Sequence, residues 1–378
     1  MMYRGSASNM STSPLSALKK IDVNFTIIIF VLNFIGLVNL YSATQSPEAV
    51  GLSRLFSQQI FWLTMGWIIY LVITVLDYQI WTRFAFVFYV INVIALALVG
   101  FVGKSFYGAQ RWLDLGFFRY QPSETMKLAL ILVLAKILAQ RSSYNGLGLR
   151  ELAYPALLTA IPFALVVKQP DLGTALLLLG IFASMVIFVR VKRSILAAAG
   201  LILLISVPMV WNFGLKTYQK NRVLTFIDPG RDPRGTGYNS IQSKIAVGSG
   251  QFAGKGFQKG TQSQLEFLPE RHTDFIFSVL SEEFGFFGSL STFILFLILF
   301  TRSIETASQA REKTGALIVV GVLSYLFFHV IVNIGMVIGL MPIVGVPLPL
   351  LSYGGSSLLT TMLGLGLISS VYFRRYLF

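Results

Sequence analysis

Long apolar runs separated by short polar stretches make up most of the chain. A helix needs about 20 apolar residues to cross a bilayer core of about 30 Å. Ten runs qualify as spans: residues 25–44, 59–76, 82–102, 124–140, 153–168, 172–190, 194–212, 275–300, 315–340 and 349–373. They mix Leu, Ile, Val, Phe, Ala and Gly without the polar–apolar alternation of barrel strands. The pattern predicts an all-α polytopic membrane protein with ten transmembrane helices.

The distribution of basic residues predicts the orientation of these spans. Short cytoplasmic loops are enriched in Lys and Arg, and most Lys and Arg in the short loops fall on the side of the N-terminus. We therefore expect both termini in the cytoplasm. The net charge of +14 is then a topology signal and a contact with anionic lipid. Nucleic-acid binding is the weaker interpretation, because the basic residues are scattered over many loops.

Composition excludes several classes of protein. Charged residues make up 12% of the chain, against about 25% in soluble domains. The lack of cysteine rules out disulfides and thiolate metal sites, and two histidines are too few for a histidine-built metal centre. A soluble α/β enzyme, a zinc protein and a disordered scaffold are therefore poor interpretations. We expect a flexible, Ser-rich cytoplasmic tail at residues 1–18 and a single membrane domain at residues 19–378.

One long hydrophilic loop, about residues 213–273, joins the seventh and eighth predicted spans. The topology above puts this loop on the extracytoplasmic side, where its many Lys and Arg residues are not needed for orientation. Ile241, Ile245 and Gly248 fall on one helical face, which indicates a short amphipathic helix at the lipid interface. The loop is interpreted either as a solvated linker or as a basic lid that receives an anionic ligand.

Acidic residues in or near apolar spans are costly and often functional. Glu124 and Lys127 are spaced i,i+3 and form either a structural ion pair or part of a site. Asp171 follows Pro170 at a helix start, where it either caps the helix or serves the site. Asp274 stands where the basic loop meets the membrane, and it either caps the following helix, as Thr273 could equally do, or serves a site. Partial desolvation there would raise its pKa, as a general base requires.

Three further features of the sequence have structural as well as functional interpretations. Glu282 and Glu283 are expected two turns deeper in the same helix, with Glu282 about 12 Å from Asp274 along the axis, and to serve as structural or channel residues. Trp112 is either a belt residue at the membrane interface or part of a site. The Pro- and Gly-rich residues 346–356 either pack tightly or offer backbone amides to a phosphate.

Together these motifs resemble those of the SEDS family (shape, elongation, division and sporulation). Residues 260–266 and 269–271 are similar to the elongation members of the family rather than to its division members. The matching motifs are residues 108–112, 121–124 with Lys127, 169–174, 260–277 followed by 281–283, and 347–357.

The resemblance implies a peptidoglycan glycosyltransferase in the bacterial cytoplasmic (inner) membrane. Its substrate would be lipid II, a disaccharide-pentapeptide on undecaprenyl diphosphate, and its partner a class B penicillin-binding protein. The resemblance places the essential acid at Asp274. It places Trp112, Glu124, Lys127 and Asp171 around the same outside-facing cavity.

This chemistry agrees with the residues themselves. An α-linked diphosphate donor and a β-linked product require one inverting displacement, with a base for the acceptor hydroxyl and positive charge for the departing diphosphate. We assign the base to Asp274. The candidates for the diphosphate, alone or with a divalent cation (Mg²⁺ or Mn²⁺), are Arg111, Lys255, Lys259 and Arg271.

Two other functions stay open from the sequence. A lipid II flippase would also carry intramembrane acidic and basic residues, and it would relocate its lipid unchanged. A scaffold that only positions the transpeptidase would need no polar cavity. Longer glycan strands as the product would distinguish a polymerase from both.

Overall fold

The computed structural model describes residues 22–45, 51–106, 109–114, 116, 119–141, 146–232, 235–265 and 267–375. The predicted tail, residues 1–18, lies outside the described residues. Helices dominate the described part, as the apolar runs predict. In chain order they are α1 Val23–Thr44, α2 Arg54–Val75, α3 Tyr78–Arg83, α4 Ala85–Val102, α5 Pro122–Arg141, α6 Leu149–Lys168, α7 Leu172–Phe188, α8 Arg193–Met209, α9 Thr217–Ile227, α10 Thr236–Ser249, α11 Thr261–Gln264, α12 Ile276–Ser308, α13 Lys313–Val337 and α14 Gly355–Arg374.

Among the described residues, eight helical segments are long and apolar enough to cross a membrane. They are α1, α2, α4, α6, α12, α13, α14 and the segment Arg193–Gly214, in which α8 continues into a π-helical turn. Helix α7 is apolar but has only 17 residues. Helix α5 has 20 residues and includes four charged side chains, Glu124, Lys127, Lys136 and Arg141. The chain is therefore a multi-pass membrane protein.

Helix α5 occupies the centre of the bundle. Fifteen of its 20 residues are buried, and it contacts α4, α6, α7, α13 and α14. A helix that is apolar on all sides, as residues 128–135 are, is stable only when other helices surround it. Helix α8 is the opposite case, because no residue of its apolar segment whose burial the structure describes lies inside the protein. The buried core of the bundle thus consists of α5 and the helices that contact it.

A small antiparallel sheet departs from the all-α prediction. Strands β1 Lys104–Phe106, β2 Ala109–Asp114 and β3 Arg119–Tyr120 pair in sequence order between α4 and α5. Sequence reasoning treated this stretch as a loop with an interfacial Trp. Its aromatic residues with glycines at 108 and 116 are typical of strands and turns.

Helix α12 reverses direction at Gly285. The Asn39 amide donates to the Ile276 carbonyl at 2.8 Å, whereas Ser42, one turn nearer the end of α1, donates to the Glu283 carboxylate. The first segment, residues 276–284, therefore runs in the same direction as α1. Gly285 then adopts φ 65° and ψ −158°, a conformation open to glycine alone among common residues.

The remaining segment, residues 286–308, runs back through the bundle. Residue Glu312 just beyond it hydrogen-bonds with Tyr78 and Gln79 at the far end of α2. We call the opposite end, where α1 ends at Thr44 and α2 begins at Arg54, the loop end. The spanning part of α12 thus starts after Gly285, and the predicted span 275–300 is wrong at its start.

This reversal corrects the predicted depth of the two glutamates. Glu282 and Glu283 were expected two turns deeper in the membrane than Asp274. The pairing with α1 places them nearer the loop end instead, and Asp274 lies below them, toward the middle of the bundle. A periodicity argument assumes one continuous straight helix, which Gly285 interrupts.

The segment between α13 and α14 also enters the bundle. Gly36 of α1 lies so close to it that an added Cβ would be 2.6 Å from the Leu350 carbonyl oxygen and 2.8 Å from the Leu351 Cα. Leu350 itself has φ 67°, a conformation that bulky residues rarely adopt. Glycine at position 36 is therefore required for this backbone contact.

We expect Gly36→Ala to lower the unfolding free energy by about 1–3 kcal/mol, because the methyl group meets backbone that cannot move away easily. The measurement is the thermal unfolding midpoint of the detergent-solubilised protein. Gly100→Ala in α4 is the matched control, since no atom lies within 4 Å of its added Cβ. That control should leave stability unchanged or raise it by up to about 1 kcal/mol. Equal effects of the two substitutions would contradict the close approach at Gly36.

Candidate active site

The backbone that carries Asp274 is fixed by two neighbouring side chains. The Asn333 amide of α13 donates to the Asp274 carbonyl at 2.9 Å and to the Val346 carbonyl at 2.7 Å. The Ser352 hydroxyl donates to the Thr273 carbonyl at 2.7 Å. These bonds tie residues 272–274 to the segment before α14. Asp274 is therefore held at a defined depth by side chains from distant parts of the sequence.

The carboxylate of Asp274 is available for chemistry. It is partly buried, and burial together with the negative charge of Glu270 raises its pKa to about 6. The positive charges of Arg111 and Arg222 act in the opposite direction. No hydrogen bond from a described residue stabilises its ionised form. This is the environment expected of a general base that works near neutral pH.

Arg111 and Asp171 form an ion pair near Asp274. Arg111 lies in β2 at an irregularity of register, where Lys104 pairs with Trp112 but Ser105 pairs with Gln110. A bulge of this kind redirects a side chain. The Arg111 guanidinium reaches the start of α7, where it donates to the Pro170 carbonyl and lies 3.8 Å from Asp171.

Asp171 caps its helix, which is one of the two roles that the sequence left open. Its carboxylate caps α7 by accepting from the Thr174 amide at 3.3 Å and the Thr174 hydroxyl at 2.9 Å. It also pairs with Arg111, and its charge reaches both Asp274 and Lys127. Trp112 follows Arg111 in β2 and is partly exposed. Arg111 and Asp171 therefore lie together near Asp274.

Glu124 and Lys127 form an ion pair in the core of the bundle. The Lys127 Nζ lies 2.9 Å from the Glu124 Oε1 and 2.9 Å from the His329 Nε2, and 4.6 Å from the centre of the Tyr325 ring. Lys127 has no exposed surface, and Glu124 is 3% exposed. All the donors of the ammonium group face protein partners. In this arrangement the pair lies beneath the site and does not line an open cavity.

His329 was not identified from the sequence. Its Nδ1 faces the Pro347 carbonyl at 3.1 Å, which can only accept, so Nδ1 carries the proton. The unprotonated Nε2 then accepts from Lys127. A lone histidine inside an apolar run gives no sequence signal for this contact. Only the packing of α13 against α5 brings the two residues together.

Lys255 is placed away from Asp274, at the reversal of α12. Its Nζ lies 2.7 Å from the fully buried Glu282 carboxylate, which also accepts from the Gln262 amide at 3.0 Å. The Lys255 amide donates to the Glu282 carbonyl at 3.0 Å, and the Phe286 amide donates to the Gln251 carbonyl at 2.8 Å. This lysine therefore holds the long loop against the reversal.

The structure does not bring the other two loop candidates to Asp274 either. Lys259 is exposed on the loop segment that packs against the reversal. The Arg271 guanidinium donates to the Ala43 carbonyl at the end of α1, at 2.8 Å. Of the predicted diphosphate ligands, Arg111 is thus the one that the structure places beside the carboxylate.

Arg222 of α9 is a site residue that sequence reasoning missed. It was one of nine basic residues in the long loop, and its position in the chain gave no reason to select it. The structure places it close enough to lower the pKa of Asp274. It also lines a small cleft with Ser240 and Ile343. The contact arises because α9 folds back over the segment that follows α13.

The residues present do not form a ready metal site. Within the described ranges, no group of three His, Asp or Glu side chains is close enough to hold a metal ion. The expected Mg²⁺ or Mn²⁺ therefore enters no step of the chemistry derived below.

The structure thus combines a helical membrane bundle with a partly buried carboxylate that is influenced by two arginines. Comparison with known proteins identifies the class. A family model for FtsW, RodA and SpoVE, described as cell cycle proteins, matches residues 23–376. The chain belongs to this family, and the resemblance to the SEDS proteins is confirmed.

Curated relatives cover nearly the whole chain. The peptidoglycan glycosyltransferase MrdB of Escherichia coli is 39% identical over 359 residues, which cover 94% of this chain and 95% of that protein. The peptidoglycan glycosyltransferase RodA of Treponema pallidum is 32% identical over 425 residues, which cover 94% of this chain and 98% of that protein.

Solved structures share the fold over the same length. A structure described as showing the coordination of polymerization and crosslinking by a peptidoglycan synthase complex matches with a TM-score of 0.80 and 34% identity. The crystal structure of the rod shape determining protein RodA of Thermus thermophilus matches with a TM-score of 0.70 and 30% identity. Each match covers 94% of this chain and 98% of the other chain.

We expect Lys127→Met to lower the unfolding free energy by about 3–5 kcal/mol, because it leaves the Glu124 carboxylate buried without its cation. The double variant Glu124→Gln/Lys127→Met should recover most of that stability. Thermal unfolding in detergent measures both. The exposed pair Arg302–Glu305, at 3.1 Å, is the control, and Arg302→Met should cost about 0–1 kcal/mol. A double variant no more stable than Lys127→Met would show that the ion pair is not the cause.

Proposed function

We propose that this protein is a peptidoglycan glycosyltransferase that polymerises lipid II into β-1,4 glycan strands during cell elongation. The observation that carries the proposal is the partly buried Asp274 carboxylate, which has a raised pKa and lies close enough to Arg111 and Arg222 for their charges to act on it. The names of the relatives, which include peptidoglycan glycosyltransferases of rod-shape determination, support it. The family alone would not identify the group that performs the reaction.

The proposed reaction is a single inverting displacement. The Asp274 carboxylate takes the proton from the 4-hydroxyl of the acceptor sugar as that oxygen attacks C1 of the donor. The bond from C1 to the diphosphate breaks, and the electron pair leaves with undecaprenyl diphosphate. Positive charge near the leaving group stabilises the transition state. Arg111 is held by Asp171 and Pro170 on one side of the base, where it offsets the charge that forms.

We further propose the orientation and location that the reaction needs. Ten spans with both termini in the cytoplasm would put the loop end, and with it Asp274, on the extracytoplasmic side of the inner membrane. The excess of Lys and Arg in the opposite loops supports this orientation. The apolar surfaces between the helices would hold the prenyl chains.

A class B penicillin-binding protein is the proposed partner. The similar structure described as a peptidoglycan synthase complex, which coordinates polymerization and crosslinking, supports it. A transpeptidase beside the site would crosslink each strand as it is made. Experiments on activity should therefore include this partner.

We expect Asp274→Asn to abolish glycan polymerisation, because the amide cannot accept the proton. The measurement is the formation of glycan ladders from labelled lipid II by the purified protein with its transpeptidase partner. Asp228→Asn is the control, since Asp228 is an exposed carboxylate whose ion-pair partner, Arg231, is also exposed. Ladders from Asp274→Asn would refute the assignment of the base. Relocated but unlengthened lipid from the unmodified protein would favour the flippase instead.

The variant Asp274→Asn should not unfold more easily than the unmodified protein. Burial raises the Asp274 pKa from 3.8 to about 6, so the folded state binds the proton more tightly than the unfolded state does. Stability therefore falls as pH rises from about 4 to 6 and stays lower above that range. The neutral amide avoids this loss, so Asp274→Asn should unfold at an equal or higher temperature at pH 7.5.

We expect the polymerisation rate to fall about tenfold per pH unit below pH 6, because Asp274 must be ionised to act as a base. This fall in rate is the acid limb of the pH profile, and the charged neighbours of Asp274 shift it in opposite directions. Glu270→Gln removes a negative charge, lowers the Asp274 pKa and should move the limb to lower pH. Arg111→Gln removes a positive charge and should move it to higher pH. A limb that stays in place in both variants would mean that another group titrates.

A further inference from the structure

The end of the bundle opposite the loop end carries a concentration of positive charge. Lys136, near the end of α5, donates to the Arg83 carbonyl at 3.3 Å, so α5 ends beside α3, at the far end of α2. The connections from α5 to α6 and from α7 to α8 meet there. Five cations lie at their ends, and we call them the basic patch: Arg141, Arg150, Arg190, Lys192 and Arg193.

Backbone hydrogen bonds join the two connections into one surface. The Leu147 amide donates to the Arg190 carbonyl at 3.1 Å, and the Lys192 amide donates to the Leu147 carbonyl at 3.3 Å. The Arg141 guanidinium donates to the Glu151 carbonyl at 2.8 Å, which ties the end of α5 to the start of α6. The cations of the basic patch are therefore held near one another by the fold.

The basic patch has little counter-charge of its own. Glu151 is the only acidic residue among residues 141, 146–151 and 187–193, and its carboxylate accepts from the Gly148 amide at the start of α6. The four cations other than Arg141 are exposed, and their side chains have no hydrogen-bond or ion-pair partner in the described part of the chain. Mutual repulsion of these charges is thus left without compensation from the protein.

Three of the cations also occupy unfavourable positions in their helices. Arg150 is the second residue of α6, and Lys192 and Arg193 are the N-cap and the first residue of α8. The first turn of a helix carries partial positive charge, which disfavours cations and favours anions. The bias of basic residues toward one side of the membrane needs cations in these loops, but it does not need them at helix starts. A bound anion would relieve the repulsion.

Exposed apolar side chains border the basic patch on the side of the membrane spans. Ile187 and Phe188, the last residues of α7, are 61% and 48% exposed, and Leu149, the first residue of α6, is 74% exposed. Acyl chains contact such surfaces in a bilayer, while basic residues at the ends of transmembrane helices contact lipid phosphates. An acidic protein would meet the charges and leave the apolar border uncovered. Together the two surfaces favour a lipid.

We propose that the basic patch binds an anionic phospholipid of the leaflet on that side, with its phosphate on Arg190, Lys192 and Arg193 and its acyl chains along Ile187 and Phe188. Such a lipid would anchor the start of α8, a helix whose described residues have no burial in the bundle. This site is separate from Asp274 and takes no part in the proposed reaction. It can therefore fail while the proposed function stands.

Native mass spectrometry of the full chain in detergent tests the proposal, with phosphatidylglycerol as the probe. We expect the triple variant Arg190→Gln/Lys192→Gln/Arg193→Gln to bind it about 100-fold more weakly, since each cation near a lipid surface contributes roughly fivefold. The matched control, Lys216→Gln/Arg231→Gln/Lys244→Gln, removes three exposed cations of the long loop and the same net charge. It should bind as the unmodified protein does.

The neutral lipid phosphatidylethanolamine should bind all three proteins alike. Equal phosphatidylglycerol affinities of the two triple variants would overturn the proposal and leave the basic patch as a topology signal. Displacement of the lipid by poly-glutamate at equal charge concentration would assign the patch to an acidic protein instead. If the first triple variant does not fold, Arg190→Lys/Arg193→Lys keeps every charge and should retain the affinity. Loss of affinity in that variant would then contradict a site based on charge.

Hydrogen exchange locates the bound lipid. Phosphatidylglycerol should slow the exchange of the amides at residues 193–196, the first turn of α8, because the lipid holds this helix start. The effect should be present in the unmodified protein and in the control triple variant, and absent from Arg190→Gln/Lys192→Gln/Arg193→Gln. Binding that protects other helices and leaves residues 193–196 unchanged would place the lipid elsewhere and refute the assignment.

Discussion

The need to hydrogen-bond irregular backbone inside an apolar bundle is the constraint on which this site depends. Unpaired N–H and C=O groups are too costly in hydrocarbon surroundings, so non-helical segments persist there only when protein groups pair with them. Asn333 bonds the Asp274 and Val346 carbonyls, and Ser352 bonds the Thr273 carbonyl. The two entering segments therefore stabilise each other. The depth of the Asp274 carboxylate is a consequence of that mutual pairing.

The charged side chains divide according to whether the fold satisfies them. Glu282 accepts from Lys255 and from the backbone of α11, and it has no exposed surface. Lys127 likewise has a partner for each donor. Removing one partner of such a buried ion pair greatly lowers the free energy of unfolding. These pairs therefore help to hold the helices in one arrangement. The Asp274 carboxylate has no such bonds from described residues, and its pKa rises accordingly. The carboxylate that we propose as the base is thus one that the fold leaves without a hydrogen-bond donor among the described residues.

Sequence reasoning predicted the helical membrane architecture, the i,i+3 pair at Glu124 and the raised pKa of Asp274, because apolar length and costly charges are local signals. It failed at Gly285, since the apolar pattern continues across the reversal and only the backbone conformation reveals it. It also selected Lys255 over Arg222. Both are basic residues of one loop, and their difference lies in which buried carboxylate each one reaches. Contacts between distant segments cannot be found from spacing.

The packing beneath the site favours chemistry at one surface over transport across the membrane. A flippase must offer its site to both sides in turn. Here the core below Asp274 is filled by α5, whose residues 128–135 have no exposed surface, and by the Lys127–His329 network. Opening a path would break a buried ion pair and separate α5 from α13. A polymerase needs neither change, because its substrates and product approach from the loop end alone. A rigid base below a one-sided cleft meets that requirement.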